Sequence, residues 1–272
     1  MSTTPRPDPT PERVPKLLPG ALLTDLLTRG PLLLALDYDG TVAEIVGDPA
    51  HAYPLAGVRE SLRELAEARS RVRIAIVSGR DLATLERLLG GAIAGVMMAG
   101  THGLELVNQD GERRLAPGVG ACAPELDRAR AWLQRAALAD GFTIEDKGCA
   151  VALHYRHAPV EKAAEVRDAF ERFLKVNAPH LKSQHGKMVV EALPAIAGKG
   201  AAVRELAAQA GPAFTPVYFG DDLTDEDAFQ ALAGRGVTVL VGSVRASAAS
   251  YRVNAPSAVT RLLRELALAA NS

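Results

Sequence analysis

An unbroken apolar run, Leu32-Leu33-Leu34-Ala35-Leu36, leads straight into Asp37-Tyr38-Asp39-Gly40-Thr41, and this junction constrains the chain more than any other stretch. A short run without polar alternation reads as a strand buried on both faces. The two carboxylates at its end stand two residues apart, so both can project into one small volume. In an open α/β sheet, ligands bind beyond the carboxyl ends of the strands, which is where this pair falls. Such a pair can hold a divalent cation. It also suits phosphoryl transfer, with Asp37 as nucleophile at phosphorus and Asp39 as the acid/base for the oxygen on the far side. Asp-x-Asp-Gly is equally ordinary turn chemistry. A calcium loop needs Gly at the sixth position from the first Asp; Val42 stands there and excludes it.

From Leu32 onward, short apolar runs alternate with amphipathic ones. A strand to Leu36, a helix from Leu55 to Ala68 and a strand from Val72 to Val77 make a βαβ pattern, the signature of a parallel sheet. A helix at Asp81–Leu89 and a strand at Gly95–Ala99 extend it. After the turn Asn108-Gln109-Asp110-Gly111 the rhythm changes. A helix over Pro124–Leu138 precedes strands at Phe142–Ile144 and Cys149–Tyr155, a helix at Val160–Val176, and strands at Leu181–Gln184 and Lys187–Leu193. From Gly198 the first rhythm returns, with strands at Val217–Phe219 and Val237–Val241 and a last amphipathic helix. The fold expected is therefore α/β, a core (21–109 and 195–272) interrupted by a smaller α/β insert (110–194). An insert of about 85 residues is large enough to hold a core of its own. The Pro-rich first twenty residues are expected to form a tail without regular structure.

Composition narrows the function classes. Of 272 residues, 48% are hydrophobic, and 31 Lys and Arg face 32 Asp and Glu, a formal net charge of -1. No basic block or stripe is available to neutralise a phosphate backbone, which argues against nucleic acid. No apolar run is long enough for a bilayer, and neither a membrane span nor a signal peptide is read. Cys122 and Cys149 are too few for a disulfide framework or a zinc site; small buried side chains are the simpler role. The expectation is a cytoplasmic monomer that acts on a small molecule.

Three further features stand at strand ends or helix starts. Val77-Ser78-Gly79-Arg80 offers a hydroxyl and backbone N–H groups for an anion, or Ser78 as a plain helix cap. Gly198-Lys199-Gly200 opens the helix after the insert. Its Lys199 can neutralise phosphoryl oxygens, or simply face water. Gly220-Asp221-Asp222-Leu223-Thr224-Asp225-Glu226 places more carboxylates at the same sheet edge, with Thr224 or Asp225 also suited to capping the next helix. All four features arising together in this order is improbable by chance.

In that order they resemble the haloacid dehalogenase superfamily, whose phosphatases carry Asp-x-Asp-x-Thr, a Ser or Thr, a Lys and a paired acidic motif. The resemblance implies a Rossmann-like parallel-sheet core under an α/β cap that closes to exclude water. It also implies an aspartyl-phosphate on Asp37, with Asp39 protonating the departing oxygen and then activating water. Ser78 and Lys199 complete the catalytic set. Mg²⁺ would be held by Asp37, the backbone carbonyl of Asp39, and Asp221, with Asp222 and Asp225 orienting that shell or binding its waters.

Within the insert, Glu145 and Lys147 share one strand face, as do Lys187 and Glu191. Charged groups of these types bind hydroxyl-rich sugars, and they also form ordinary cross-strand ion pairs on solvated faces. Gly100-Thr101-His102-Gly103-Leu104-Glu105, Glu145-Asp146-Lys147-Gly148, His154-Tyr155-Arg156, Gly186-Lys187-Met188-Val189-Val190-Glu191 and Gly220-Asp221-Asp222-Leu223-Thr224-Asp225-Glu226 together resemble the trehalose-6-phosphate phosphatases. That resemblance implies that Glu145, Lys147 and Glu191 grip the distal glucose. It assigns His102 with Gly103, Arg156 and Lys187 to the phosphorylated sugar or its phosphate, and Arg80 to the junction of core and cap. The alternatives are a phosphatase of another sugar phosphate (sucrose, mannosylglycerate or hexose phosphate), a phosphomutase, or a silent sugar-phosphate-binding module. The last predicts loss of the acidic motifs, all of which are present.

Overall fold

The computed structural model describes residues 14–136, 141–186 and 188–272. Along the chain run β1 (Lys16–Leu17), α1 (Leu22–Arg29), β2 (Leu32–Asp37), α2 (Val58–Glu67), β3 (Val72–Val77), α3 (Leu82–Leu88) and β4 (Val96–Gly100). Then come β5 (Glu105–Val107), β6 (Arg113–Leu115), α4 (Ala123–Ala136), β7 (Thr143–Asp146), β8 (Val151–His154), α5 (Val160–Asn177), β9 (Leu181–Gly186) and β10 (Val189–Pro194). The last stretch holds α6 (Lys199–Ala210), β11 (Thr215–Gly220), α7 (Asp225–Ala231), β12 (Val237–Val241), β13 (Tyr251–Val253) and α8 (Pro256–Ala270). None of the described helices is long and apolar enough to cross a membrane.

The chain divides into two compact units, residues 1–103, 107–113 and 198–272 in one and residues 104–106 and 114–197 in the other. The stretch 107–113 belongs to the first unit. In the large sheet the strands follow the order β1-β13-β12-β11-β2-β3-β4-β5-β6. β2 is central, parallel to β11 on one side and β3 on the other, and every one of its residues is buried. Strands buried on both faces need helices on both faces, which is why this one reads as continuous Leu rather than as an alternation. Leu62, Leu65, Leu262, Leu263 and Leu266 of α2 and α8 pack into one cluster with Leu34, Leu36, Ile74 and Ile76. Each such side chain contributes about 1.5–3 kcal/mol by leaving water. The register sets Asp37 against Val77 and Leu36 against Phe219, so the ends of β2, β3 and β11 come to one edge.

Two short strands depart from expectation. β1 pairs in parallel with β13, and Leu18 N–H donates to the Arg252 carbonyl at 2.9 Å. Regular structure thus begins inside the stretch expected to lack it; residues 1–13 of that tail lie outside the described residues. β13 itself, Tyr251-Arg252-Val253, is too short and too mixed in character to show as a run.

The second unit carries a four-stranded antiparallel sheet, β7-β8-β10-β9. Val151, Leu153, Val190 and Ala192 pack with Leu126 and Leu133 of α4 and with Val166 and Phe170 of α5, where Trp132 stacks on Phe170 at 5.3 Å. Because strand side chains alternate, the opposite face carries Glu145, Ala152, Glu191 and Gln184, which are direct cross-strand partners in one row. Cys122 and Cys149 are both buried.

Candidate active site

Lys199, the first residue of α6, projects into the edge where β2 and β11 end. Its Nζ lies 2.8 Å from Asp37 Oδ1 and 2.8 Å from Asp225 Oδ1, and the three side chains are almost wholly buried. Asp225 is saturated. Its Oδ1 also accepts Tyr218 O–H at 2.7 Å, and its Oδ2 accepts the backbone N–H groups of Asp221 at 2.9 Å and Asp222 at 3.0 Å. It therefore shapes the loop behind β11 rather than capping α7. Asp222 is engaged too, accepting Thr224 N–H at 2.7 Å and Thr224 O–H at 2.6 Å. Asp221 packs over Gly40, whose φ is +78°; a Cβ there would come 2.1 Å from Asp221 Oδ2. Only glycine combines that backbone conformation with so close an approach.

Four carboxylates thus surround one ammonium, and the imbalance shows in their titration. Burial, then Asp225, pushes the Asp37 carboxyl well above the usual range against the pull of Lys199. Burial, Asp225 and Asp222 push Asp221 up to about 6. Burial opposes the charge on Lys199, but Asp225 and Asp37 outweigh it and hold the proton firmly. For Asp222, burial is outweighed by Lys199 and the Thr224 hydrogen bonds, which keep it low. Carboxylate oxygens of Asp37, Asp221 and Asp225 lie within 4.8 Å of one another. Hard oxygens of this kind are the donors a small divalent cation prefers. With Asp225 already taken, Asp37 and Asp221 are the open ligands. The residues fit a divalent cation. Beside them Thr41 Oγ1 is buried without a hydrogen-bond partner.

Asp39 points elsewhere. Its carboxylate is clamped by Arg80, Nε to Oδ2 at 2.6 Å and Nη2 to Oδ1 at 2.7 Å, a bidentate fork. Arg80 Nη1 reaches the Pro49 carbonyl at 2.9 Å. Ser78 is buried behind Arg80, and its Oγ accepts Arg80 N–H at 3.1 Å. The cap of α3 is not Ser78 but Asp81, whose carboxylate accepts Thr84 N–H at 2.8 Å. Thr101 and His102 adopt φ of +46° and +55°. A β-branched residue in that region is strained, and such strain persists only where neighbours fix it. Thr101 N–H donates to the Arg80 carbonyl at 2.7 Å, His102 N–H to Ser78 at 2.9 Å, and Gly198 N–H to the His102 carbonyl at 2.8 Å. Gly103 packs against Ala202 of α6.

In the second unit, Lys147 Nζ meets Glu191 Oε1 at 3.0 Å, both nearly buried. Burial raises the Glu191 carboxyl despite Lys147. Glu145 pairs with His154 at 2.8 Å, half exposed. Arg130 of α4 grips the β7–β8 turn, contacting the Gly148 carbonyl and Asp146 Oδ2, the latter at 3.0 Å. Arg156 is exposed, and Lys187 lies outside the described residues.

Residues 35–257 match the family model for trehalose-phosphatase. The chain belongs to the trehalose-phosphatase family. It is 37% identical over 245 residues to the trehalose-phosphate phosphatase of Mycobacterium marinum, covering 85% of this chain and 60% of that protein. It is 35% identical over 266 residues to that of Mycobacterium bovis, covering 94% and 66%. The chain thus spans about three-fifths of the length of the curated relatives it matches. Among solved structures, the Candida albicans trehalose-6-phosphate phosphatase C-terminal domain superposes with a TM-score of 0.76 at 24% identity, over 95% of this chain and 99% of that one. Aspergillus fumigatus trehalose-6-phosphate phosphatase gives a TM-score of 0.67 at 28% identity, over 93% and 99%.

Three residues at the sites escaped the reading of the sequence. Tyr218 had a signal, a hydroxyl in an apolar strand stretch that, once buried, must find an acceptor. Asp227, whose Oδ2 takes Gly200 N–H at 2.8 Å where α6 begins, had only its place in an acidic run. Arg245 had none, since its partners lie about twenty residues away.

Proposed function

We propose that the protein is a Mg²⁺-dependent phosphatase that hydrolyses trehalose 6-phosphate to trehalose and phosphate. The observation that carries this reading is Asp37 at the end of β2, held 2.8 Å from the Lys199 ammonium and beside Asp221. Membership of the trehalose-phosphatase family supports the substrate. Asp37 and Asp221, with the Asp39 backbone carbonyl, would hold Mg²⁺, which when bound neutralises the phosphoryl oxygens and the surplus carboxylate charge.

Asp37 attacks phosphorus and the P–O bond to the sugar breaks, leaving an aspartyl-phosphate. The sugar oxygen takes its proton from Asp39, which must first exchange the Arg80 fork for a proton. Asp39, again a carboxylate, then takes a proton from the water that attacks the phosphoryl group, and phosphate and free Asp37 result. Lys199 balances charge on the transferring group, and its two fixed carboxylate partners keep it in place without reorganisation. Ser78 and Arg80 serve the phosphoryl oxygens, His102 and Arg156 the phosphorylated sugar. Lys187 is assigned with them. Glu145, Lys147 and Glu191 hold the distal glucose through its hydroxyls.

The test is phosphate release across a panel of sugar phosphates with Mg²⁺, with Asp37→Asn as the blank. Selective release from trehalose 6-phosphate, lost with chelator and in the blank, is the expected result. Equal or greater release from sucrose or hexose phosphates overturns the substrate, and no release from any of them overturns the reaction.

A further inference from the structure

Asp221 is held at both of its backbone polar groups. Its N–H is fixed locally by Asp225. Its carbonyl is approached from another part of the chain by Arg245, in the loop after β12. Arg245 Nη2 donates to the Asp222 carbonyl at 2.8 Å and lies 3.4 Å from the Asp221 carbonyl. Nη1 pairs with Glu226 Oε1, and Glu226 Oε2 accepts Ala248 N–H at 2.8 Å. The loop from Arg245 to Ala248 is thereby fastened to the first turn of α7 and, through the guanidinium, to the two consecutive carbonyls of the acidic loop. Arg245 is 27% and Glu226 15% exposed, so water competes weakly for these bonds. Asp221 has little freedom to drift, because its carboxylate lies against the bare backbone of Gly40.

We infer that Arg245 is a positioning residue for the divalent cation: it sets the Asp221 carboxylate by holding the carbonyls of Asp221 and Asp222, and touches neither cation nor substrate. The inference rests on the proposed cation site. A planar fork with several donors can hold two adjacent carbonyls and a carboxylate together, which a Lys ammonium of the same charge cannot do with fixed geometry. Loss of charged hydrogen bonds of this kind corresponds to a weakening of about tenfold.

The experiment is titration of the purified protein with Mn²⁺, followed by electron paramagnetic resonance of the free ion, alongside the Mg²⁺ dependence of phosphate release. Arg245→Met is expected to weaken Mn²⁺ binding about tenfold and to raise the half-saturating Mg²⁺ by a similar factor. kcat at saturating Mg²⁺ should stay within about threefold of wild type, and millimolar guanidinium should restore part of the affinity. Glu226→Gln keeps an acceptor for Ala248 but weakens the hold on Arg245. It should shift the same two readings in the same direction by less, and it serves if Arg245→Met does not fold. A purely structural role would lower the thermal midpoint and leave the cation titration unmoved, and that result overturns the inference. If wild type binds no Mn²⁺, the cation site itself falls and the inference with it; equal binding by wild type and both variants sinks the inference alone.

Discussion

The two units each bury a Lys against carboxylate, and they do it to opposite effect. In the first, Lys199 is shared by Asp37 and Asp225 with Asp221 and Asp222 close by, and burial, with the neighbouring carboxylates adding to it, raises three of the four carboxyls. In the second, Lys147 pairs with Glu191 on one face of an antiparallel sheet, and Glu145 pairs with His154. On the proposed function, the cluster around Lys199 takes the cation and the phosphoryl group, and the Lys147–Glu191 pair offers donors and acceptors to neutral hydroxyls, a division of chemistry from recognition unit by unit.

The largest contrast should come from the nucleophile. Asp37→Asn is expected to lower kcat by about 10⁴-fold or more, with the affinity for trehalose 6-phosphate, measured by calorimetry, within a few-fold of wild type. Glu191→Ala in the other unit should do the reverse, raising KM by tenfold or more with a smaller change in kcat. A matching loss of binding in both variants would erase the division.

Stability tests the same contrast. Lys199→Met leaves two buried carboxylates without their cation and should cost about 3–5 kcal/mol in urea unfolding. The deficit should shrink as pH falls and those groups take up protons. Adding Asp37→Leu should not restore it, because Asp225 remains. Lys147→Met should cost less, and the double variant Lys147→Met with Glu191→Leu should recover most of the loss, since a buried pair replaced by apolar side chains is often neutral.

Much of this was legible in the sequence. The Leu run ending in Asp37 gives the central strand, and the return of the helix-and-strand rhythm at Gly198 gives the insert, because period and burial are local properties. The Asp225 hub was not legible. Two oxygens receiving four donors depend on how the loop after β11 folds back, and the same letters read equally well as a capping box. Ser78 shows the same limit: it stands where a cap could lie, yet the cap lies three residues later at Asp81. β1 and β13, at two and three residues, have no period to detect.

A smaller effect sharpens the account of the second unit. Gly40→Ala, back in the first, should weaken Mg²⁺ binding and cost about 1–3 kcal/mol through backbone strain alone, larger than anything expected from Glu125. That carboxylate accepts His180 Nδ1 at 2.7 Å and His180 N–H at 2.9 Å, and these bonds hold its pKa below the ordinary value. A lowered folded-state pKa means the stabilisation is fully present above the unfolded value, about 4.3, and is lost as pH falls through the folded one. The thermal midpoints of wild type and Glu125→Gln should therefore differ at pH 7 and converge in acid.

The hydrogen bond from Gly198 N–H to the His102 carbonyl closes a loop of nearly a hundred residues at its neck. Closure entropy grows only with the logarithm of loop length, so a neck already stitched makes the core almost indifferent to how much chain hangs beyond it. A change in the length of that segment should therefore cost the core little stability beyond the segment's own.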